Sequence, residues 1–169
     1  DNNDFGGSGG GATAAASDGG NGGAGAPNTI TGTNTTYAGG GGGSARQSNS
    51  GKSGGAGGGG AGAGQSSTDA VAGTANTGGG GGGAGGPGTP NNSGAGGSGI
   101  VVARAPSNSG VIFTTTNPGG QQPGSSPNYN EVSQAPNGDI VAKFIASGTL
   151  NILDTAYGVS ADYLIVAGG

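Results

Sequence analysis

Large apolar side chains are nearly absent from the first 99 residues and recur in short runs from Ile100 onward. Only Phe5, Ile30, Tyr37 and Val71 break the polar and glycine background of the first stretch. Full burial of such a side chain contributes about 1.5–3 kcal/mol. Fixing the backbone costs about 1–2 kcal/mol per residue, and glycine loses the most freedom. A side-chain core therefore cannot order this region. The pattern changes at Ile100. Segments 100–105, 111–116, 139–145, 149–153 and 162–167 are short, rich in β-branched and aromatic residues and bounded by Pro, Gly and Asn, which predicts strands. Asn117-Pro118-Gly119-Gly120, 121–127 and Pro136-Asn137-Gly138 read as turns or loops, and Ser147-Gly148 as a tight reversal between two strands. No segment carries an amphipathic helical period. The expectation is two layers: a glycine-rich block over 1–99 and a small antiparallel β-layer over 100–169, with essentially no α-helix.

Composition sharpens the first layer. Of the 48 glycines, 39 precede Ile100. They fall into about six stretches, 5–12, 18–26, 38–44, 51–64, 77–88 and 94–99, on the reading that glycine favours close backbone packing. The intervening segments, 13–17, 27–37, 45–50, 65–76 and 89–93, carry Ser, Thr, Asn, Gln and two of the prolines, which form or cap turns. A flexible linker needs no such regular interruption. Collagen demands glycine at every third position with abundant proline, and silk-like alternation does not persist beyond Gly60-Ala61-Gly62-Ala63-Gly64. Two readings remain. One is a bundle of polyglycine II rods, threefold left-handed helices that rise about 3.1 Å per residue and bond to neighbours on all sides. The other is a disordered low-complexity segment.

Charge and residue chemistry exclude several functions. The chain holds no Cys, Met, Trp or His, which leaves no thiolate or imidazole metal site, disulfide or His-dependent catalysis. Four Lys and Arg against eight Asp and Glu give little with which to neutralise phosphates, so nucleic acid is not an expected partner. The longest apolar runs are too short to span a bilayer. The first residue is Asp1 rather than Met, which reads as a processed chain or an excised segment. Gly51-Lys52-Ser53 lacks the glycine of a phosphate loop, since Arg46 occupies that position. Gly6-Gly7-Ser8-Gly9-Gly10 fits a nucleophile elbow but has no His to serve as base. The carboxylates are scattered and form no evident acid–base pair. Asn34-Thr35-Thr36 and Asn91-Asn92-Ser93 are formal glycosylation sequons in turns. No enzyme, cofactor or metal site is expected.

Three motifs carry a family resemblance. Ser98-Gly-Ile-Val-Val-Ala-Arg104 resembles the closing strand of the glycine-rich modules of phage tail fibres, phage adhesins and bacterial surface proteins. Residues 139–152, followed by Ala161-Asp-Tyr-Leu-Ile-Val-Ala-Gly-Gly169, resemble their opening strands, and Thr36-Tyr-Ala-Gly-Gly-Gly-Gly-Gly43 an interior stretch. The resemblance covers most of the chain except 106–136 and implies a polyglycine II bundle. The order is permuted, with the opening strands last. It implies one period of a repeating array or a subunit whose last strands feed the next; a piece cut from a fibre explains it equally.

The functional expectation is a structural, self-assembling block of an extracellular or virion fibre, polymerising head to tail through Tyr163, Leu164, Ile165, Val166 and Phe5. The alternative is a tail-fibre tip adhesin that meets a cell-surface receptor with loops carrying Arg46, Gln47, Asn49, Asn91 and Asn92. An ice-binding role requires more regular Thr and Ala spacing. If the rods alternate up and down, the breaks at 27–37 and 65–76 share one end with Phe5 and the exit at Ile100. That sorting gathers Phe5, Ile30, Tyr37 and Val71 into an apolar seam and leaves the opposite end polar.

Overall fold

A computed structural model of the chain describes residues 5–46, 50–65, 69–85, 92–115, 130–154 and 160–169. Among these there is no helix, and the regular structure is short strand. The chain divides into two compact units. One comprises Asp1–Pro27, Thr35–Gly99 and Val166–Gly169; the other comprises Asn28–Asn34 and Ile100–Ile165.

The glycine-rich unit is ordered by backbone hydrogen bonds between segments, and their register advances in threes. Gly6, Gly9 and Ala12 donate to the carbonyls of Ser44, Gly41 and Ala38 at 2.9, 2.9 and 3.0 Å, so the two segments run antiparallel. Gly39, Gly42 and Ala45 donate to Gly57, Gly60 and Ala63 at 3.0, 2.9 and 3.0 Å in parallel register. Gly80 and Gly83 donate to Gly39 and Gly42. Gly40 donates to Gly23, and Gly55 to Gly40. One segment, residues 38–45, thus bonds to five others. Glycine is required at this centre, because a Cβ on Gly40 would strike the Gly9 carbonyl, on Gly41 that of Gly81, and on Gly42 that of Lys52.

The apolar seam expected from the alternating sorting does not form. Phe5 bridges Ala45, whereas Tyr37 precedes Ala38, which meets Ala12 and Thr77 at the other end of that segment. Val71 donates to the Ala61 carbonyl, accepts from Gly82, and neighbours Ala70, which donates to Asn92; it lies towards the Phe5 end and is 57% exposed. Ile30 belongs to the second unit. The cause is where the chain reverses: one reversal lies inside the glycine stretch 51–64, and two others sit at the edges of the expected breaks 13–17 and 65–76. The chain folds back at Gly11–Ala14 through the Gly11 to Ala14 hydrogen bond. It turns at 56–58, where Gly57 and Gly58 take φ of 100° and 92°, and again at 75–78, where Asn76 and Gly78 take 63° and 66°. Positive φ is open to glycine without steric penalty, so a glycine run can turn without a punctuating residue.

Strands β1 (Ala26–Asn28) and β2 (Thr35–Tyr37) pair with each other. The second unit contains β3 (Ile100–Ala105), β4 (Val111–Thr115), β5 (Glu131–Gln134), β6 (Ile140–Phe144), β7 (Leu150–Asp154) and most of β8 (Asp162–Val166). Four form a sheet in the order β5-β6-β3-β8, and β4 pairs β7 antiparallel. Ala103 faces Ala142, and Ala105 faces Ile140, across the antiparallel β3–β6 pair. Period-2 alternation turns Val111 and Phe113 of β4 inward. Together with Ala103, Ala105 and Ala142 they form the core, flanked by Ile140, Phe144 and Leu150. The small alanines of one sheet leave room for the Phe113 ring of the other.

The predicted turn Pro136-Asn137-Gly138 closes the β5–β6 hairpin, with Gly138 at φ 90° and Ala135 N donating to Asp139 O at 2.8 Å. The predicted strands at 139–145, 149–153 and 162–167 appear at Ile140–Phe144, Leu150–Asp154 and Asp162–Val166. The segment around Ser147 does not pair β6 with β7, because β7 pairs β4. The fully buried Asn130 holds it instead: Oδ1 accepts from Ile145 N at 3.0 Å and Ala146 N at 3.1 Å, and Nδ2 donates to Ser147 O at 3.3 Å. The turns expected at 117–120 and 121–127 lie outside the described residues.

Candidate functional site

Charged and polar side chains converge at the end of β3 in the second unit. Arg104 alternates with the buried Ala103 and Ala105 along the strand, so its side chain leaves the core face. Its Nε donates to Asp139 Oδ2 at 2.9 Å, Nη1 to the carbonyls of Thr29 and Ile30 at 3.0 and 3.3 Å, and Nη2 to Asn137 Oδ1 at 3.0 Å. The rigid fork of guanidinium donors suits such divergent acceptors, which a lysine could not satisfy together. Asn137 Nδ2 also donates to Asp139 Oδ2 at 2.8 Å, and Ser107 N donates to Oδ1 at 3.2 Å. The Asn137 hydrogen bond, then those from Arg104 and Ser107 and the guanidinium charge, hold the Asp139 carboxyl below its ordinary range against a smaller opposing effect of burial.

A cleft of about 400 Å³ opens beside this cluster. It is lined by Asn28, Thr29, Ile30, Arg104, Asp139, Asp162 and Tyr163. Asn28 Oδ1 accepts from Ile30 N at 2.8 Å, an Asx-type turn that fixes the loop. Tyr163 on β8 is 77% exposed. An Asp139 carboxylate committed to three hydrogen bonds is suited to holding structure and accepting protons in hydrogen bonds, not to transferring them near neutral pH. Among the described residues no group of three or more Asp, Glu, His or Cys could hold a metal ion. No helix among them is long and apolar enough to cross a membrane.

The residues expected to mediate self-association are distributed between the units. Tyr163 and Ile165, 77% and 66% exposed, stand on the same face of β8, the strand at one edge of the four-stranded sheet. Leu164 and Val166 are half-buried. Phe5 is half-buried, with Lys52 Nζ 4.5 Å from the centroid of its ring. Of the expected recognition residues, Arg46 and Asn92 are exposed, and Asn92 N donates to Asp69 Oδ1 at 2.9 Å. Gln47, Asn49 and Asn91 lie outside the described residues.

The first 106 residues match the family model of the glycine-rich domain. The chain belongs to the glycine-rich domain family. The match ends two residues beyond Arg104, so it takes in the glycine-rich segments and β3. No curated protein and no solved structure matches the chain. Sequence reasoning passed over the Arg104–Asn137–Asp139 cluster, because Arg104 and Asp139 are 35 residues apart. The Asn-Gly turn at 137–138 was the available signal, since it places an Asx side chain beside Asp139, the residue that leads into the returning strand.

Proposed function

We propose that the glycine-rich domain is a polyglycine II rod bundle serving as a structural, self-assembling block of an extracellular or virion fibre. The three-residue register supports the rod reading, because a threefold helix presents each face once every three residues. A segment with hydrogen-bonded neighbours on five sides also fits such a rod better than a strand, whose ladder bonds lie in one plane. A bundle of this kind requires no ligand, metal or catalytic residue, and no enzymatic role is proposed.

Assembly rests on one observation: β8 lies at a sheet edge with Tyr163 and Ile165 exposed on one face. Exposed edges recruit further strands unless blocked by charge, proline or a covering element, and only Asp162 supplies charge within β8. A contact between unlike surfaces that does not close produces a filament. Sedimentation and electron microscopy of the purified chain provide the test. Concentration-dependent filaments that Ile165→Asp abolishes are expected, and a monodisperse monomer at millimolar concentration overturns the reading.

The second reading, a fibre-tip adhesin, is favoured by the register of the segment ends. Ala45 donates to Ala63, Ala63 to Gly83, and Ala70 to Asn92, so the breaks near Arg46, Gln65 and Asn92 gather at one end. Loops on a rigid scaffold commonly carry recognition. Electron microscopy of native particles separates the two: a repeated module along a fibre supports the first, and a single density at a tip supports the second.

A further inference from the structure

We propose that the cleft lined by Asn28, Thr29, Asp162 and Tyr163 binds a neutral saccharide ring. Its volume of about 400 Å³ falls at the small end of ligand pockets, roughly 300–1,000 Å³, and suits one or two sugar rings. The lining selects the chemistry. Ile30 is the sole aliphatic hydrocarbon side chain named in the lining, which disfavours a lipid or another apolar ligand. The positive charge of Arg104 is neutralised by Asp139 at 2.9 Å, so an anion would meet the Asp162 carboxylate without an uncompensated cation.

A polyhydroxylated neutral ligand satisfies the remaining groups. Asp162 is exposed on β8 and offers acceptor oxygens to two hydroxyls. Thr29 contributes an exposed hydroxyl that donates and accepts. Tyr163 is an exposed aromatic surface at the cleft, against which the C–H face of a pyranose can stack while the phenol meets water. The walls are held in place: Arg104 binds the Thr29 and Ile30 carbonyls, and Asn28 caps Ile30 N. Such pre-organisation lowers the entropic cost of binding.

Saturation-transfer NMR with methyl glucoside, methyl galactoside and methyl mannoside tests the proposal, with Nα-acetyl-lysine amide and inorganic phosphate as competing probes. Saturable binding of at least one glycoside with Kd on the order of millimolar is expected. Asp162→Ala should weaken it at least about tenfold, the loss of one charge-assisted hydrogen bond. Compared at a concentration too low for filaments, Ile165→Asp, which does not touch the cleft lining, should leave it unchanged, and at high concentration it should abolish filaments, so this inference and the assembly reading fail separately. No saturation by any glycoside up to about 100 mM, where a millimolar site would be full, overturns the proposal. Preferential binding of the lysine derivative or phosphate overturns it, as does undiminished glycoside affinity in Asp162→Ala.

Discussion

At Gly41 an added Cβ would strike the carbonyl of Gly81, whereas at Phe113 the side chain is the reason the neighbouring strands hold together. The glycine-rich unit gains order by bringing backbones so close that their amides satisfy one another from several directions. The β unit gains it by separating two sheets and filling the gap with one ring and a few aliphatic groups. Each hydrogen bond in the first unit contributes only about 0.5–1.5 kcal/mol net, and the number of bonds compensates for that small contribution. In the second, a few buried side chains carry the energy. The two units are therefore vulnerable to opposite substitutions, removal of atoms in one and their addition in the other.

The largest expected effect lies in the β unit. Phe113 is 4% exposed and packs with Val111, Ala103, Ala105 and Ala142. Phe113→Ala should cost about 3–5 kcal/mol, because alanine-rich walls cannot close over the space left behind. Residue-resolved amide exchange is the measurement. Protection should fall in β3, β4 and β6, and equal loss at Gly40–Gly43 would show that the units are not held independently.

The converse change is Gly41→Ala. One methyl group must displace a carbonyl that belongs to another bonded segment, and overpacking of this kind costs about 1–3 kcal/mol. Gly7 is the internal control, since nothing lies within 4 Å of a Cβ placed there. Gly7→Ala should leave stability unchanged or raise it by about 0.4–1 kcal/mol through reduced freedom of the unfolded chain. Chemical denaturation monitored on the glycine-rich unit distinguishes the two. Equal behaviour would mean that composition alone, rather than position, decides where glycine is required.

How much of this was legible differs between the units for the same reason. β3 was readable at 100–105 because its β-branched run ends at Pro106, and the 136–138 turn because Pro-Asn-Gly has few other uses. β5, Glu131–Gln134, carries one apolar residue and exists because β6 offers it an edge; no local pattern announces it. The partner of β7 was also hidden, because Ser147-Gly148 suits a hairpin and only the buried Asn130 diverts the chain. In the glycine-rich unit the turn at 56–58 uses the alanine and glycine that also form the straight segments, and the turn at 75–78 begins in the last residues of the break read at 65–76. Polar punctuation therefore gave the wrong number of reversals, and Phe5 and Val71 were assigned to the wrong end. The cleft was not visible: Tyr163 was read only as part of a self-association surface, and Arg104 and Asp139 meet only through the β3–β6 register.

The smallest of these contrasts is the response to acid. Asp139 has its pKa lowered in the folded state, first by the Asn137 hydrogen bond and then by Arg104 and Ser107. Its contribution is therefore fully present above the unfolded value near 3.8 and is lost as pH falls through the lower folded value. Protonation removes the charge that Arg104 faces and leaves one oxygen as a donor where two served as acceptors, so the fork holding the Thr29 and Ile30 carbonyls loses its anchor. In the glycine-rich unit the bonds at Gly39–Gly43 join peptide groups that do not titrate over this range, although Asp69 accepts from Asn92 near one end. Amide exchange from pH 5 down to pH 2, corrected for intrinsic rates, should show protection declining around β3 and the 136–138 turn before it declines at Gly40–Gly43. Asp139→Asn keeps the shape and removes the titration. It should lower the stability of the β unit at neutral pH and flatten its acid limb, and an acid limb as steep as that of the parent would assign the pH dependence to a carboxylate other than Asp139.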